Sequence, residues 1–350
     1  MQEFIELDCS EGTGGGQIIR TALALSVLLE KPVHLSNIRA GRESPGLKPQ
    51  HLTAVKALAT ISNAETKGDF LQSTEIFFSP KKTSPQNLNI NIGTAGAISL
   101  LLQQLLPVSL KEHIELHIAG GTSVAFAPSI FFLQKDLFPK LRLMNAKFSA
   151  EILAHGFFPK GNGRVFFKSE PSKLPLKPIV FLETGNLNHF ECFSVSSALP
   201  SEVSTAQAKT AKRILLEKFE ADWIEKIESK QERKDTIGSS IDLFACFEKT
   251  VLGANALGEK GKPALEVGKE AAEKLIEELS ANSPIDSHCA DQLLVFMALA
   301  KGKSEIAVSK FTEHCRTNIS IIEKFLECKF AVEGELNMPA KISVEGIGFK

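Results

Sequence analysis

The sequence has 350 residues, of which 43% are hydrophobic and 23% are charged. This composition is typical of a folded globular chain and excludes a disordered or fibrous one, and the length predicts two or three domains. The 40 Lys and Arg residues against 41 Asp and Glu residues give a net charge of -1. That balance excludes the broad positive field of a protein that coats nucleic acid, so binding to nucleic acid would need a local basic site.

Neither a membrane segment nor a secretory leader is recognisable. No stretch approaches the ~18 consecutive apolar residues of a membrane-spanning helix, and the opening MQEFIELDCSEG has acids where a signal peptide has a basic flank. We therefore expect a cytoplasmic protein with no membrane partner. The six cysteines lack CxxC spacing, which argues against a zinc knuckle and against a disulfide framework.

Strand-like and helix-like patterns alternate along the first 160 residues. A short strand leads into a glycine-rich loop and an apolar helix, and a second strand, an arginine-rich loop and a second helix follow. The predicted elements in chain order are strand 3–7, helix 17–30, strand 33–38, helix 49–62, strands near Ile76 and Ile90, helix 97–106, strand 114–118 and a phenylalanine-rich helix.

Two glycine turns indicate that this unit is repeated. Gly12-Thr13-Gly14-Gly15 and Gly93-Thr94-Ala95-Gly96 each follow a strand and open an apolar helix, although chance similarity of short glycine turns would give the same pattern. A third unit is predicted near the C-terminus. Its elements are helix 290–300, strand 304–308, helix 317–326 and strands near Phe330 and Ile342.

The composition shifts between residues 177 and 282, and we predict that this segment is an inserted domain. It contains two amphipathic patterns studded with charges, which predict helices over 205–228 and 265–279. Strands are predicted between them at 241–247 and 251–255.

The first glycine-rich loop, Glu11 to Gln17, is a candidate anion site. Glycines let backbone N–H groups converge on an anion at a helix N-terminus, and Arg20 follows in the first helical turn. The loop is not a Walker A motif, because no Gly-Lys-Ser/Thr follows, and Gln17 replaces the last glycine of a dinucleotide-binding GxGxxG motif. A tight turn without a ligand is the alternative interpretation.

The second loop, RAGRESPGLKPQH at 39–51, packs cations among glycines and prolines. A guanidinium group binds two phosphate oxygens at once, and Gly and Pro fix the backbone that carries it. We predict that Arg20, Arg39 and Arg42 form an anion pocket. A solvated charged loop is the alternative.

Three of the eight histidines have sequence contexts that suit a binding site. His155 begins the turn HGFFPKGNG, in which Lys160 is placed to face a phosphate, although a hairpin turn explains this segment equally well. His288 precedes a predicted helix start. His314 follows a strand and precedes a helix, where a side chain can project into a cleft. For each histidine, a structural role is the alternative.

Taken together, these motifs resemble those of the RNA 3'-terminal phosphate cyclase family over essentially the whole chain. The matching segments are GGGQIIRTALALS, IRAGRESPGLKPQHLTAVKAL, GTAGAISLLLQQLLP, HGFFPKGNG, LGEKGKPALEVGKEAAEKL, ADQLLVFMALA and HCRTNISIIEKFL. The resemblance implies an α/β fold in which three βαβαββ-like modules form a large domain, with a smaller α/β domain inserted before the third module. The expected boundaries are 1–176 for modules one and two, 177–282 for the inserted domain and 283–350 for module three.

The resemblance also implies a reaction. In this family a histidine attacks the α-phosphorus of ATP to form a covalent histidine-AMP, the AMP passes to an RNA 3'-phosphate, and the neighbouring 2'-hydroxyl closes a 2',3'-cyclic phosphate. His314 occupies the position of the nucleophile. The implied contacts to the RNA phosphate are Arg20, Arg39, Arg42 and Gln50, and those to ATP are Gln103, His288, Cys289, Ala290, Asp291 and Gln292.

One departure from the family concerns the metal. Where relatives carry a glutamate associated with Mg²⁺ or Mn²⁺, this chain has Thr13, whose hydroxyl is a poorer ligand. Either Glu11 is the ligand, through a shift of the loop, or ATP alone holds the metal.

Two other functions compete with this interpretation. Cyclase-like proteins that act as RNA-associated scaffolds in ribosome assembly lack the histidine, whereas this chain has His314. Enolpyruvyl transferases share similar modules, but the segments HCRTN and ADQLL do not suit them.

Overall fold

The structure, a computed structural model, describes residues 3–10, 16–230 and 235–350. In these residues the chain folds into four four-stranded sheets with helices packed against them. Each sheet contains one parallel pair of strands and is otherwise antiparallel. The predicted α/β class is confirmed.

The first unit follows the predicted β-α-β-α-β-β order. Its elements are β1 (Ile5–Asp8), α1 (Gln17–Leu29), β2 (Val33–Ser36), α2 (Pro49–Ser62), β3 (Glu65–Lys67) and β4 (Ile76–Ser79). The strands lie in the order β1-β2-β4-β3, with β1 and β2 parallel. Helix α1 is apolar on nearly all sides and is therefore buried in the interior. This burial fixes the direction in which its first turn points.

The second unit repeats the same order of elements. They are β5 (Gln86–Asn91), α3 (Ile98–Leu105), β6 (Ile114–Gly120), α4 (Ile130–Phe132), α5 (Phe138–Leu143), β7 (Lys147–Ala154) and β8 (Gly163–Glu170). A π-helical turn at Leu133–Leu137 joins α4 to α5, and a 3-10 turn at Val108–Leu110 follows α3. The sheet order β5-β6-β8-β7 is the same first-second-fourth-third order as in the first unit.

After the short strand β9 (Val180–Phe181), the chain builds a separate small sheet. Its elements are β10 (Leu187–Ser197), α6 (Ser201–Leu216), β11 (Asp222–Lys230), β12 (Gly238–Phe247), β13 (Val251–Leu257) and α7 (Ala264–Ser280). The helix predicted over 205–228 is wrong in its second half, because β11 pairs in parallel with β10 there. The alternating charges of β11 resemble an exposed helix face, and pairing with β10 overrides that weak local preference.

The third unit is completed after the small sheet. Its remaining elements are α8 (Ser287–Leu299), β14 (Lys301–Val308), α9 (Glu313–Phe325), β15 (Phe330–Glu333) and β16 (Ala340–Ile347). Strand β9 pairs in parallel with β14, which gives the order β9-β14-β16-β15, again first-second-fourth-third. The small sheet therefore follows the first strand of this unit. Strand β9 has only two residues, so hydrophobic periodicity could not predict it. The domain boundaries given above stay a prediction.

Two hydrophobic cores stabilise these units. Helices α1, α3 and α8 bury their apolar side chains in one core that the three repeated units share. The small sheet packs against α6 and α7 around a core of its own. Phe131 and Phe157 contact Val195 and Phe244, and this aromatic cluster joins the small sheet to the second unit. Within the described ranges, no helix has the length and apolar character needed to cross a bilayer.

Candidate active site

A cleft of about 390 Å³ opens where the three repeated units meet the small sheet. Its volume is in the range of small-molecule sites, roughly 300–1,000 Å³. Each unit contributes to the lining, through Arg20 of α1, Gln103 of α3, Asp242 and Phe244 of β12, His288, Asp291 and Gln292 of α8, and His314 of α9. Predicted site residues that are far apart in sequence thus share one cleft.

His314 lies in the first turn of α9. The hydroxyl of Thr312 accepts a hydrogen bond from the Cys315 N–H at 3.2 Å and caps the helix. The helix therefore begins at Glu313, four residues before the predicted start. The side chain of Cys315 is buried and anchors this turn in the core, whereas the ring of His314 is exposed in the cleft.

Gln17 links His314 to Asp291. The Gln17 Nε2 group donates to Asp291 Oδ2 at 3.0 Å and to the His314 carbonyl at 3.0 Å. With Nε2 used as a donor, the Gln17 Oε1 atom accepts from Nδ1 of the His314 ring. This contact puts the ring proton on Nδ1 and leaves the lone pair on Nε2. The sequence interpretation gave Gln17 no role, because the contact joins the first and third units.

A second buried polar contact holds the same helices together. The Thr21 hydroxyl donates to Asn318 Oδ1 at 2.7 Å, and Asn318 Nδ2 donates to the Asp291 carbonyl at 2.9 Å. These bonds fix the relative positions of α1, α8 and α9. They explain why polar residues occur on otherwise apolar helix faces.

The electrostatic environment keeps His314 neutral. Partial burial lowers the pKa of His314, and its electrostatic interactions with Arg20, His288 and Arg42 lower it further, whereas Glu313 raises it. Burial also raises the pKa of Asp291 to about 6, against the attraction of Arg20. Burial lowers the pKa of Arg20 to about 10, and Asp291 opposes this shift. A neutral imidazole beside a guanidinium suits nucleophilic attack on a phosphate.

His51, which the sequence interpretation did not single out, lies beside the glycine-rich loop. Burial, together with the charges of Arg20, Arg39 and Lys48, lowers the pKa of His51 to about 3, so the ring is neutral. Its Nδ1 accepts from the Lys48 N–H at 3.3 Å, which leaves the proton on Nε2. That nitrogen contacts Gly16, at the end of the glycine-rich loop, so closely that a Cβ at Gly16 would lie 2.2 Å from it.

The predicted arginines approach these two histidines. Arg39 is half-buried with a positive φ of 56°, and its Nε is buried without a hydrogen-bond partner in the described residues. Burial and the neighbouring charge of Arg42 lower the pKa of Arg39. An unsatisfied buried donor among like charges is the environment that a bound anion would relieve.

Gln50 contacts the second glycine turn. Its Oε1 accepts from the Ala97 N–H at 3.2 Å, at the start of α3, and its side chain packs against Gly96. The role of Gln50 in RNA phosphate binding stays a prediction.

The predicted nucleotide contacts divide between the cleft and the core. Gln103, His288, Asp291 and Gln292 line the cleft. The Gln292 Nε2 group donates to the His288 carbonyl at 2.9 Å, while its Oε1 is buried and has no partner among the described residues. By contrast, the side chains of Cys289 and Ala290 are fully buried on the other side of α8 and do not line the cleft.

Phe126 lies at the mouth of the cleft. Its side chain is fully exposed and its backbone has a positive φ of 60°, a conformation that is unusual for a bulky residue. The sequence predicted a helix after Gly121, but α4 begins only at Ile130, so Phe126 lies in the preceding loop. An exposed ring in a strained loop at a cleft is typical of a functional position.

No metal centre forms at the cleft from the residues that the structure describes. Glu11, the predicted ligand, and Thr13 lie outside the described residues. Two groups of potential ligands occur elsewhere. One consists of His189, Glu191 and Cys246, and the other of Asp136, Asp286 and Cys289. None of these six residues lines the cleft.

The fold and cleft define an α/β enzyme in which a histidine with a lowered pKa shares a cleft with Arg20. The sequence model of the RNA 3'-terminal phosphate cyclase family matches residues 11–332. The chain belongs to that family, as the motifs predicted.

Its relatives include proteins named RNA 3'-terminal phosphate cyclase from three organisms. The chain is 42% identical to those of Pyrobaculum aerophilum and Staphylothermus marinus, with 99% of each chain covered. It is 41% identical to that of Thermococcus kodakarensis, with 98% of each chain covered.

Proposed function

We propose that the protein converts the 3'-terminal phosphate of RNA into a 2',3'-cyclic phosphate at the expense of ATP, with His314 as the residue that carries AMP. The observation that supports this most strongly is the exposed, neutral ring of His314 in a cleft with Arg20, Gln103 and Gln292. Family membership and relatives of the same name at about 40% identity support the overall reaction.

In the first step, the lone pair of His314 Nε2 attacks the α-phosphorus of ATP. A P–N bond forms, the bond to the β-phosphate oxygen breaks, and pyrophosphate leaves. Gln17 keeps the Nδ1 proton in place and holds the ring in the reactive tautomer. Arg20 stabilises the charge that grows on the phosphoryl oxygens.

In the second step, an oxygen of the RNA 3'-phosphate attacks the phosphorus of the histidine-AMP. The P–N bond breaks and its electron pair returns to Nε2, so the imidazole, which has kept its Nδ1 proton, leaves as a neutral ring. In the third step, the 2'-hydroxyl attacks the activated 3'-phosphorus, loses its proton, and AMP leaves. The attacking and leaving groups are held on one RNA end, so the last step is intramolecular and gains from proximity.

The pocket of Arg20, Arg39 and Arg42 would hold the RNA 3'-phosphate. The buried Arg39 Nε has no hydrogen-bond partner within the described ranges, which supports this assignment because a phosphate oxygen would satisfy it. Phe126 at the cleft mouth offers a ring on which the base of ATP could stack. A divalent ion, Mg²⁺ or Mn²⁺, would accompany ATP and neutralise its phosphates, and the described residues assign it no protein ligand.

The alternative function is an RNA-binding scaffold in ribosome assembly that has weak or no catalytic activity. The orientation of His314 by Gln17 favours catalysis, because a scaffold does not need a fixed tautomer on an exposed ring.

A cyclisation assay tests the proposal. An oligonucleotide with a labelled 3'-phosphate is incubated with the protein and ATP, and phosphatase is then added. We expect label that resists phosphatase, and AMP and pyrophosphate in equal amounts. Arg42→Ala should still form histidine-AMP but lose transfer to RNA. Label that stays fully sensitive to phosphatase with the wild-type chain would support the scaffold instead.

A further inference from the structure

A groove outside the cleft runs along the second unit. It consists of two hollows of about 370 and 250 Å³, which share Asn91, Ala119 and Arg164 in their linings. The first hollow begins at the glycine turn Gly93–Gly96, and the second lies on the exposed face of the sheet. We call the two hollows together the tail groove.

A series of contacts connects the tail groove to the glycine-rich loop beside the proposed site of RNA cyclisation. The turn that carries Lys160 packs on the glycine turn, since a Cβ at Gly161 would lie 2.9 Å from the Thr94 carbonyl oxygen. On its other side the glycine turn contacts Gln50 through Gly96. Gln50 directly precedes His51, which contacts Gly16 beside the cleft. The second glycine turn thus contacts both the groove and Gln50, the residue next to His51.

Two exposed cations, Lys160 and Arg164, line the groove. Neither has an ion pair with any described residue. On the same sheet, Lys147 pairs with Glu170 at 3.3 Å, and Lys168 pairs with Glu115 at 3.4 Å.

One acid also lines the groove, at Asp235. Its carbonyl accepts a hydrogen bond from Asn162 Nδ2 at 2.9 Å, which ties Asp235 to the turn. The described lining of the first hollow thus holds two cations and one carboxylate, and its charge is complementary to a phosphodiester backbone.

Two exposed aromatic side chains accompany these cations. Phe158 lies two residues before Lys160 and is 77% exposed. On the sheet face, the exposed ring of His117 contacts Phe166, with ring centroids 4.9 Å apart. Exposed rings beside cations are the typical composition of a surface that binds single-stranded RNA, because bases stack on the rings while the backbone meets the cations.

We propose that the tail groove binds the single-stranded RNA on the 5' side of the reacting 3'-phosphate. Lys160 and Arg164 contact its phosphodiesters, and Phe158 and His117 stack against its bases. This proposal rests on the proposed function and adds to it a site for the body of the substrate. It also explains how a protein with a net charge of -1 can hold RNA, because the positive charge is concentrated where the strand passes.

The test compares two substrates that differ only in length. A 3'-phosphorylated dinucleotide fills the cleft alone, whereas a single-stranded 3'-phosphorylated dodecamer also reaches the groove. In Lys160→Ala/Arg164→Ala, we expect the Kd of the dodecamer, measured by fluorescence anisotropy, to rise on the order of tenfold. The slope of log K against log salt concentration for the dodecamer should become less negative by about 1.4, at ~0.7 for each lost phosphate contact. Cyclisation of the dinucleotide should keep its wild-type KM.

A matched control removes the same charge elsewhere. Lys147→Ala/Arg213→Ala loses two exposed cations that are both paired with glutamates, and it should bind the dodecamer as the wild type does. Phe158→Ala should weaken binding of the dodecamer while leaving its salt dependence unchanged.

Unchanged affinity and salt slope in Lys160→Ala/Arg164→Ala would overturn the tail groove, as would an equal loss in the control. Binding is measured without ATP, so this result does not depend on catalysis. Absence of histidine-AMP and cyclic product in the wild-type chain would instead refute the proposed function.

Discussion

The side chain of Gln17, in the first turn of α1, accepts a hydrogen bond from the ring of His314, 297 residues further along the chain. Both residues lie in first turns of helices, one in the first repeated unit and one in the third. The candidate nucleophile is therefore oriented by a different unit from the one that carries it. Catalysis at His314 requires the units to be assembled around their shared core.

Gln17→Ala removes the acceptor that holds the Nδ1 proton of His314. We expect the rate of histidine-AMP formation to fall by ~10- to 100-fold, because the ring then populates both tautomers and several orientations. Single-turnover kinetics with labelled ATP measures this rate. Gln134→Ala is the control, since Gln134 also ties a helix to a neighbouring strand, by a 2.7 Å bond to the Ala150 carbonyl, but lies outside the cleft lining. Equal rates in Gln17→Ala and wild type would remove Gln17 from the mechanism.

Gly16→Ala tests the contact between the glycine-rich loop and His51. The added Cβ would lie 2.2 Å from His51 Nε2, so the ring or the loop must move. We expect a loss of about 1–3 kcal/mol in the free energy of unfolding, as is typical of overpacking. Gly41→Ala is the matched control, because a Cβ at Gly41 meets nothing within 4 Å. The measurement is urea denaturation. The double variant Gly16→Ala/His51→Ala should recover stability, and failure to do so would show that His51 is not the obstacle.

The rate of histidine-AMP formation should depend on the protonation of His314. The pKa of His314 is lowered from the ordinary value of 6.5, so the ring stays neutral as the pH falls through 6.5 and loses its lone pair only below that. The midpoint of the pH-rate profile should therefore lie below 6.5. Arg42→Ala should move the midpoint upward, because it removes one of the positive charges that disfavour protonation. A midpoint above 6.5 in the wild type would contradict this electrostatic account.

Asp242 predicts a pH dependence of stability. Burial raises its pKa to about 7 from an ordinary 3.8, although Ser129 and Asn255 donate hydrogen bonds to it. Ionisation thus costs more in the folded than in the unfolded state, and stability declines as the pH rises from about 4 to about 7. In Asp242→Asn the contribution of Asp242 to this decline should be absent, while that of Asp291 remains. The difference in Tm between the variant and wild type should grow in favour of the variant between pH 4 and pH 8, and a constant difference would exclude Asp242 as the cause.

Much of the fold could be predicted from the sequence where elements are long and periodic. Helix α2 was predicted with its observed ends, Pro49 and Ser62, because a proline starts it and apolar residues recur along one face. Strand β11 was predicted as helix, because its charges carry no hydrophobic period and only pairing with β10 decides its conformation. Strand β9 has two residues, too few for any pattern.

The candidate site was predictable in part for a similar reason. Motifs gave the residues that stand in distinctive sequences, such as Arg20, His314 and Asp291. They did not give Gln17, His51 or Asn318, since the roles of these residues arise from contacts between units. Nor could the pattern tell that Cys289 and Ala290 face the core while their neighbours on α8 face the cleft. Which side of a helix is buried depends on the neighbours it packs against.

The central claim is that His314 is the residue that accepts AMP, and covalent labelling tests it most directly. The protein is incubated with ATP labelled on the α-phosphate, denatured, and digested for mass spectrometry of the labelled peptide. We predict acid-labile label on His314, no label in His314→Ala, and retained label in His288→Ala, which changes only a cleft-lining ring. Label on another residue, or undiminished label in His314→Ala, would contradict the account.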